Sequence, residues 1–159
     1  GYQFSSIQLE DLIQNIIQDF THKIEDKKIN FIYNKPPAIL PKVNIDPSKI
    51  RLIIGNLLDN AIKYTPEKGN VTISIKYDKV FIEISVSDSG IGIPKNEQNK
   101  LFGKFFRSEN AIKTQTEGSG LGLFIVKNIT EKHGGKIWFE SEENKGSVFH
   151  ITIPANPNK

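Results

Sequence analysis

Leu9, Leu12, Ile13, Ile16, Ile17, Phe20 and Ile24 recur at steps of three and four, and that spacing predicts an amphipathic helix with a broad apolar face, expected to cover a sheet. Ahead of it, Tyr2 to Gln8 reads as a short strand or a linker. Ile29-Asn30-Phe31-Ile32-Tyr33 predicts a short strand stopped by Pro36-Pro37, and Val43-Asn44-Ile45 predicts another. Asp46-Pro47 marks a helix start, an N-cap acceptor followed by a proline whose missing N–H costs nothing at the first helical position. The second helix carries Ile50, Ile53, Ile54, Leu57, Leu58, Ala61 and Ile62 as its buried stripe and ends at Pro66. Val71, Ile73, Ile75 and Tyr77 then alternate with polar residues, as do Val80, Ile82, Ile84 and Val86. Only Asp78-Lys79 separates the two runs, which predicts a tight antiparallel hairpin. Lys95 to Phe102 reads as a short helix, and the polar stretch from Ser108 to Glu117 as a loop. A third helix follows, with Leu121, Ile125 and Ile129 spaced by four and Gly134-Gly135 as its stop. Ile137 to Glu140 and Val148 to Ile153 are predicted strands, completing one mixed or antiparallel sheet.

Composition narrows the classes. The chain has 159 residues, 37% of them hydrophobic and 25% charged, which suits one globular domain with a core of its own. Without a cysteine there is no thiol catalysis, disulfide framework or Cys-based zinc site. His22, His133 and His150 lie far apart and show no metal-ligand spacing. His133 is expected as a favourable charge at a helix end, and Trp138 and His150 as structural residues. The net charge of +3 comes from dispersed lysines, which fits a solvated surface better than a nucleic-acid patch, with some excess available to a polyanion such as a nucleotide. No apolar run approaches the roughly 20 residues of a membrane span, and no signal peptide opens the chain. The absence of any methionine suggests a piece of a longer protein or a processed product.

Chemistry concentrates in three places. On the second helix Asn56, Asn60 and Lys63, with Tyr64 beside them, flank the apolar stripe at spacings of four and three. Asparagine is a poor helix former, so these residues read either as amides bonding neighbouring loops or as a ligand-facing polar ridge. Asp59 is expected to face away from that ridge. Asp88 continues the even-numbered, apolar face of its strand. A carboxylate so aimed needs partners, either Ser89 and backbone amides or a polar ligand, and the glycines of Asp88-Ser89-Gly90-Ile91-Gly92-Ile93-Pro94 favour a pocket. Gly118-Ser119-Gly120-Leu121-Gly122-Leu123 leads into the third helix and offers free N–H groups and a positive dipole end, a ready phosphate site. There is no P-loop, and the second cluster lacks the context of a dinucleotide-binding fold.

Four motifs in order resemble those of sensor histidine kinases. Asn56-Leu57-Leu58-Asp59-Asn60-Ala61-Ile62-Lys63-Tyr64-Thr65-Pro66 looks like their N box, Asp88 to Pro94 like the first glycine box, Leu101-Phe102-Gly103-Lys104-Phe105-Phe106-Arg107 like the F box, and Gly118 to Leu123 like the second glycine box. Gly146-Ser147-x-Phe149 extends the likeness to nearly the whole chain. The resemblance implies the Bergerat ATP-binding fold, an α/β two-layer sandwich with a mixed, mostly antiparallel sheet, three main helices on one face and an ATP lid. It implies a single ATP-binding catalytic domain over residues 1–159, with 1–8 the remnant of a linker from a dimerisation and phosphoacceptor domain and 108–117 the lid.

The same resemblance implies roles. Asp88 accepts a hydrogen bond from the adenine amino group, Gly90, Gly92 and Ile93 line the base, and Tyr64 packs against it. Asn60 ligates Mg²⁺ bridging the phosphates of ATP, with Asn56 as polar support. Lys63, Lys104, Phe105 and Arg107 serve the phosphate side, Arg107 reaching toward the γ-phosphate. Gly118, Ser119, Gly120, Leu121 and Gly122 supply amides to the phosphates. Lys104 stands where arginine is frequent and lacks its planar fork. Relatives that hydrolyse ATP carry a glutamate one turn before the Mg²⁺-ligating asparagine. Here that position is Asn56, no general base, which favours transfer to a docked acceptor. No His-Glu-x-x-[Arg/His]-Thr-Pro acceptor motif occurs, and His22 does not fit one. The implied partners are therefore the dimerisation and phosphoacceptor helices of the parent kinase and a response regulator downstream, with no nucleic acid and no membrane insertion by this piece. The implied setting is the cytoplasmic part of a membrane-anchored bacterial sensor. Alternatives are a serine kinase or hydrolysing ATPase of the same fold, or a non-catalytic module that binds nucleotide or a partner.

Overall fold

The computed structural model describes residues 1–103 and 122–155. Its framework is a five-stranded mixed sheet in the order β2-β4-β5-β7-β6, formed by β2 (Asn30–Asn34), β4 (Asn70–Tyr77), β5 (Phe81–Asp88), β6 (Ile137–Glu142) and β7 (Gly146–Pro154). Only β2 and β4 run parallel; the other neighbours are antiparallel. This is the expected sheet with one addition. β1 (Ser5–Ile7) and β3 (Val43–Ile45) pair antiparallel as a separate two-stranded ribbon.

Register explains how the core forms. The rungs Ile73–Val86–Phe149–Phe139 and Ile75–Ile84–Ile151–Ile137 cross the sheet, because the period of two puts each strand's apolar residues on one side. Helices α1 (Leu9–Gln18), α3 (Pro47–Tyr64) and α4 (Gly122–Lys132) add Leu9, Ile13, Ile16, the predicted α3 stripe, Val126 and Ile129 to one buried cluster with that face. α3 begins as predicted, with Asp46 Oδ1 accepting from the N–H groups of Ser48 and Lys49 at 3.1 and 3.2 Å.

Local details differ from the expectations in four places. The first predicted helix is two, α1 and α2 (Thr21–Asp26). The N–H groups of Asp19 and Phe20 reach back three residues, to Ile16 and Ile17, and the Thr21 hydroxyl donates to the Gln18 carbonyl. The apolar stripe survives this break because Phe20 and Ile24 still pack on the cluster. Val80 belongs to the hairpin turn, 61% exposed, since the Asp78 carboxylate accepts from the N–H groups of Val80 and Phe81 and Lys79 adopts φ 76°. The short helix is a 3-10 helix over Lys95–Lys100. In α4 the buried residues are Val126, Ile129 and Thr130 with Ile125 half-buried, while Leu121 lies outside the described residues.

His133 is a correction of another kind. It is buried, its Nδ1 donates to the Ile129 carbonyl at 2.9 Å, and its Nε2 accepts from the Asp46 N–H at 3.1 Å. An Nε2 that accepts carries no proton, so the ring is a neutral bridge between α4 and the α3 cap, not a charge at a helix end. Trp138 and His150 are structural as expected. They stack at 4.9 Å on the sheet face away from the helices, with Glu83, Ser85 and Glu140 bonded to the imidazole.

Candidate nucleotide site

The site is organised by α3. Asn56, Asn60, Lys63 and Tyr64 are all half-buried along the edge of the apolar stripe, where helical phase put them. The Asn56 amide donates to the Leu52 carbonyl of its own helix at 3.1 Å. Its Oδ1 lies 3.0 Å from the point a side-chain carbon on Gly122 would occupy. The first residue of α4 thus lies close against Asn56, and a side chain there would require the Asn56 amide to give way by a few tenths of an ångström. Eight residues further along, about 12 Å of helix, the Tyr64 carbonyl accepts from the Ile91 N–H at 3.3 Å and would lie 2.5 Å from a Cβ on Gly90. The last glycine of the second cluster and the loop of the first therefore meet the same helix at two stations. Between them lie Asn60 and Lys63.

The Asn60 side-chain amide has no hydrogen-bond partner among the described residues, which leaves its Oδ1 available. Lys63 is differently placed. Its ammonium pairs with Asp59 Oδ2 at 3.5 Å, and Asp59 Oδ1 also takes Lys23 at 2.9 Å. Asp59 was expected to face away from the ridge; being i,i+4 to Lys63, it shares that side of the helix.

Asp88 ends β5 with its predicted parity, paired with Val71 and Ser147 across the sheet. Burial pushes its carboxyl up from 3.8 to about 6, against the opposing pull of backbone N–H donors from Gly90 and Ser147. The Gly90 bond is 2.8 Å. Of the protein partners foreseen for Asp88 as the alternative to a ligand, the backbone amides supply part and Ser89 none. The Ser89 hydroxyl instead accepts from the Asn70 N–H at 2.8 Å. What remains is a desolvated acceptor at the edge of the core, suited to a ligand N–H donor.

The glycines of the first cluster have reasons of their own. Gly92 sits at φ 66°, and a Cβ there would collide with the Glu142 carbonyl. Gly146 at φ 129° lets the β6–β7 turn pass against the Asp88 carbonyl in the same way. The turn and the loop are bonded as well: the Asn144 N–H donates to the Ile91 carbonyl at 2.7 Å, and the buried Ile93 donates its N–H to Ser141 Oγ at 2.9 Å. Gln98 Nε2 closes the frame on the Ile93 and Ser141 carbonyls. These buttresses were not visible in the sequence. Lys104, Phe105, Arg107, Gly118, Ser119, Gly120, Leu121 and the lid 108–117 lie outside the described residues.

The donor set fits the groups implied. Among the described residues no cluster of three or more His, Asp or Glu side chains could hold a metal by itself. Mg²⁺ is commonly held by one or two protein oxygens together with substrate phosphates, and the Asn60 amide oxygen can be such a ligand. Among the described residues, too, no helix is long and apolar enough to cross a membrane.

Comparison with known proteins agrees with this arrangement. The family model described as "Histidine kinase-, DNA gyrase B-, and HSP90-like ATPase" matches residues 45–157. The chain is 42% identical over 148 residues to the adaptive-response sensory kinase SasA of Synechococcus sp. (strain JA-3-3Ab), covering 92% of this chain and 38% of that protein. It is 40% identical over 157 residues to the sensor histidine kinase WalK of Bacillus subtilis, covering 96% of this chain and 25% of WalK. The chain thus spans well under half the length of these relatives. Among solved structures, the catalytic domain of histidine kinase ThkA superposes with a TM-score of 0.84 at 34% identity, covering 96% of this chain and 98% of that one. ThkA in complex with the response regulator protein TrrA matches with a TM-score of 0.80 at 33% identity, covering 98% and 43%.

Proposed function

The chain belongs to the histidine kinase-, DNA gyrase B- and HSP90-like ATPase family in its sensor-kinase form, and from that premise we propose that it binds Mg-ATP and donates the γ-phosphate to a histidine on a separate dimerisation and acceptor domain. The observation that carries the reading is a desolvated acceptor at Asp88 whose loop meets α3 at the Tyr64 carbonyl, one turn beyond the open side-chain amide of Asn60.

Asp88 holds the adenine amino group, with Gly90, Gly92 and Ile93 shaping the loop beside it and Tyr64 against the base. Asn60 is the protein ligand of Mg²⁺, and Asn56 supports it. Mg²⁺ supplies charge neutralisation on the phosphates when bound. Lys63 turns from Asp59 toward phosphate. Lys104, Phe105 and Arg107 complete the phosphate side, and Gly118, Ser119, Gly120, Leu121 and Gly122 donate backbone N–H groups there. Residues 108–117 serve as the lid, residues 1–8 as the end of a linker, and residues 1–159 as one catalytic domain of a bacterial sensor whose remaining parts are cytoplasmic helices and a membrane anchor. A response regulator receives the phosphoryl group in turn, in keeping with the relative solved beside one.

Transfer is favoured over hydrolysis because Asn56, bonded through its amide to the Leu52 carbonyl, offers no base to activate water. The test is reconstitution with γ-phosphate-labelled ATP and Mg²⁺. The chain alone should take up no label, and adding the acceptor domain of its parent should label a histidine there. Label on serine, or steady phosphate release without acceptor, would sink the proposal.

A further inference from the structure

We propose that Lys27 is a positioning residue for the nucleotide site: its ammonium, seated on the last carbonyls of α3, holds the turn that carries Asn60, Lys63 and Tyr64 against the loop that carries Asp88 and Gly90. The inference rests on the Mg-ATP reading above and adds to it a residue outside all four motifs.

An α-helix leaves its last four carbonyls without partners inside the helix. In α3 these include Ile62, Lys63 and Tyr64. The helix ends without the left-handed glycine turn that commonly caps such groups, because Thr65 follows with φ −93° and ψ 130°. The caps come from elsewhere. Lys27 Nζ donates to the Ile62 carbonyl at 2.9 Å and to the Lys63 carbonyl at 2.8 Å. The Ile91 N–H takes the Tyr64 carbonyl at 3.3 Å. The final turn of α3 is therefore held between the α2–β2 connection on one side and the loop after Asp88 on the other. A cation at this end also complements the negative pole of the helix dipole.

Lys27 is itself fixed. Its own carbonyl accepts from the Lys68 N–H at 3.0 Å, and the neighbouring Asn30 N–H donates to the Gly69 carbonyl at 2.8 Å. One helical turn earlier Lys23 bonds Asp59 at 2.9 Å, a second grip on the same part of α3. No residue of α2 is fully buried, so beside the packing of Ile24 on the core these polar contacts help hold it. On the far side the fit is tight: a Cβ on Gly90 would lie 2.5 Å from the Tyr64 carbonyl. The Asp88 loop thus rests directly on the end of the helix at Tyr64. Burial lowers the Lys27 pKa, consistent with an ammonium that has exchanged water for these carbonyls.

The test compares the chain with its Lys27→Met, Lys27→Arg and Leu12→Ala variants by calorimetric titration with Mg-ATP, at a temperature where circular dichroism shows each fully folded. Lys27→Met keeps the stem and removes the donors, and should bind about tenfold more weakly. Lys27→Arg keeps charge and donors and should stay within about threefold of the parent. Leu12→Ala loses apolar contact in α1 away from the site and should bind as the parent does despite a lower denaturation midpoint. Should Lys27→Met not fold, Lys27→Gln carries the same comparison. Parent-like affinity of the folded Lys27→Met protein, or an equal loss in Leu12→Ala, overturns the positioning role while leaving the nucleotide reading intact. Absence of Mg-ATP binding by the parent chain overturns both.

Discussion

Replacing Asp88 by asparagine should make this protein more stable and worse at binding nucleotide. Folding raises the Asp88 pKa from 3.8 to about 6, a shift of roughly two units, each equivalent to about 1.4 kcal/mol. In that case the native state binds the proton more tightly than the unfolded chain. Below about pH 3 both states are protonated and the carboxyl costs nothing extra. As pH rises through the window from 3.8 to about 6, stability falls, and above it the full penalty of about 3 kcal/mol is present. Asparagine keeps an oxygen for the Gly90 N–H, bonded at 2.8 Å in the parent, and never ionises. Its NH₂ group must find partners in the same desolvated place, so the net gain at pH 7.5 should be smaller, about 1–2 kcal/mol. Urea denaturation at pH 7.5 and again near pH 3 measures this: the variant's midpoint should lie higher by roughly 0.5–1 M at the first pH and lower by a similar amount at the second, where only the cost of the amide remains. Mg-ATP affinity should drop about tenfold to a hundredfold, since an amide donor then faces the adenine amino donor. A variant less stable than the parent at pH 7.5, or a stability difference that does not change with pH, would refute the desolvated-acceptor argument.

Other expectations can be checked with the same assays. Mg-ATP affinity of the parent should weaken as pH falls below about 6, where Asp88 protonates, while Asp88→Asn shows no such component; the ratio of the two cancels titration of the nucleotide itself. Thr65 is fully buried and its hydroxyl has no hydrogen-bond partner among the described residues, so Thr65→Val should stabilise by about 1 kcal/mol, or about 2–4 °C in Tm; a lower Tm would refute the orphan. Gly92→Ala meets both a left-handed φ of 66° and the Glu142 carbonyl, and should cost at least about 2 kcal/mol in denaturant unfolding, whereas a loss under 0.5 kcal/mol would mean the loop yields freely. Leu58→Ala, at a fully buried position of α3, should cost about 2–5 kcal/mol by the same measurement.

Much of this architecture was legible because it is local. Periodicities of 3.6 and 2 report directly which face of an element meets the core, and they placed α3, the β4 and β5 strands and the inward parity of Asp88. The Asp46-Pro47 cap depends on groups within three residues of one another, and so it too could be read along the chain. The motif resemblance added the family and the order of the site. What the tertiary structure alone decided involves partners far apart in sequence. Lys27 caps Ile62 and Lys63, His133 bridges to Asp46, and Gly92 needs its missing side chain because the Glu142 backbone arrives there. The break between α1 and α2 escaped because an apolar stripe stays in phase across it. The i,i+4 pair of Asp59 with Lys63 was legible and went unread, whereas its second partner, Lys23, escaped because it comes from another helix. A residue's own pattern states how much of it is buried; which group then meets it is fixed only when the chain closes on itself.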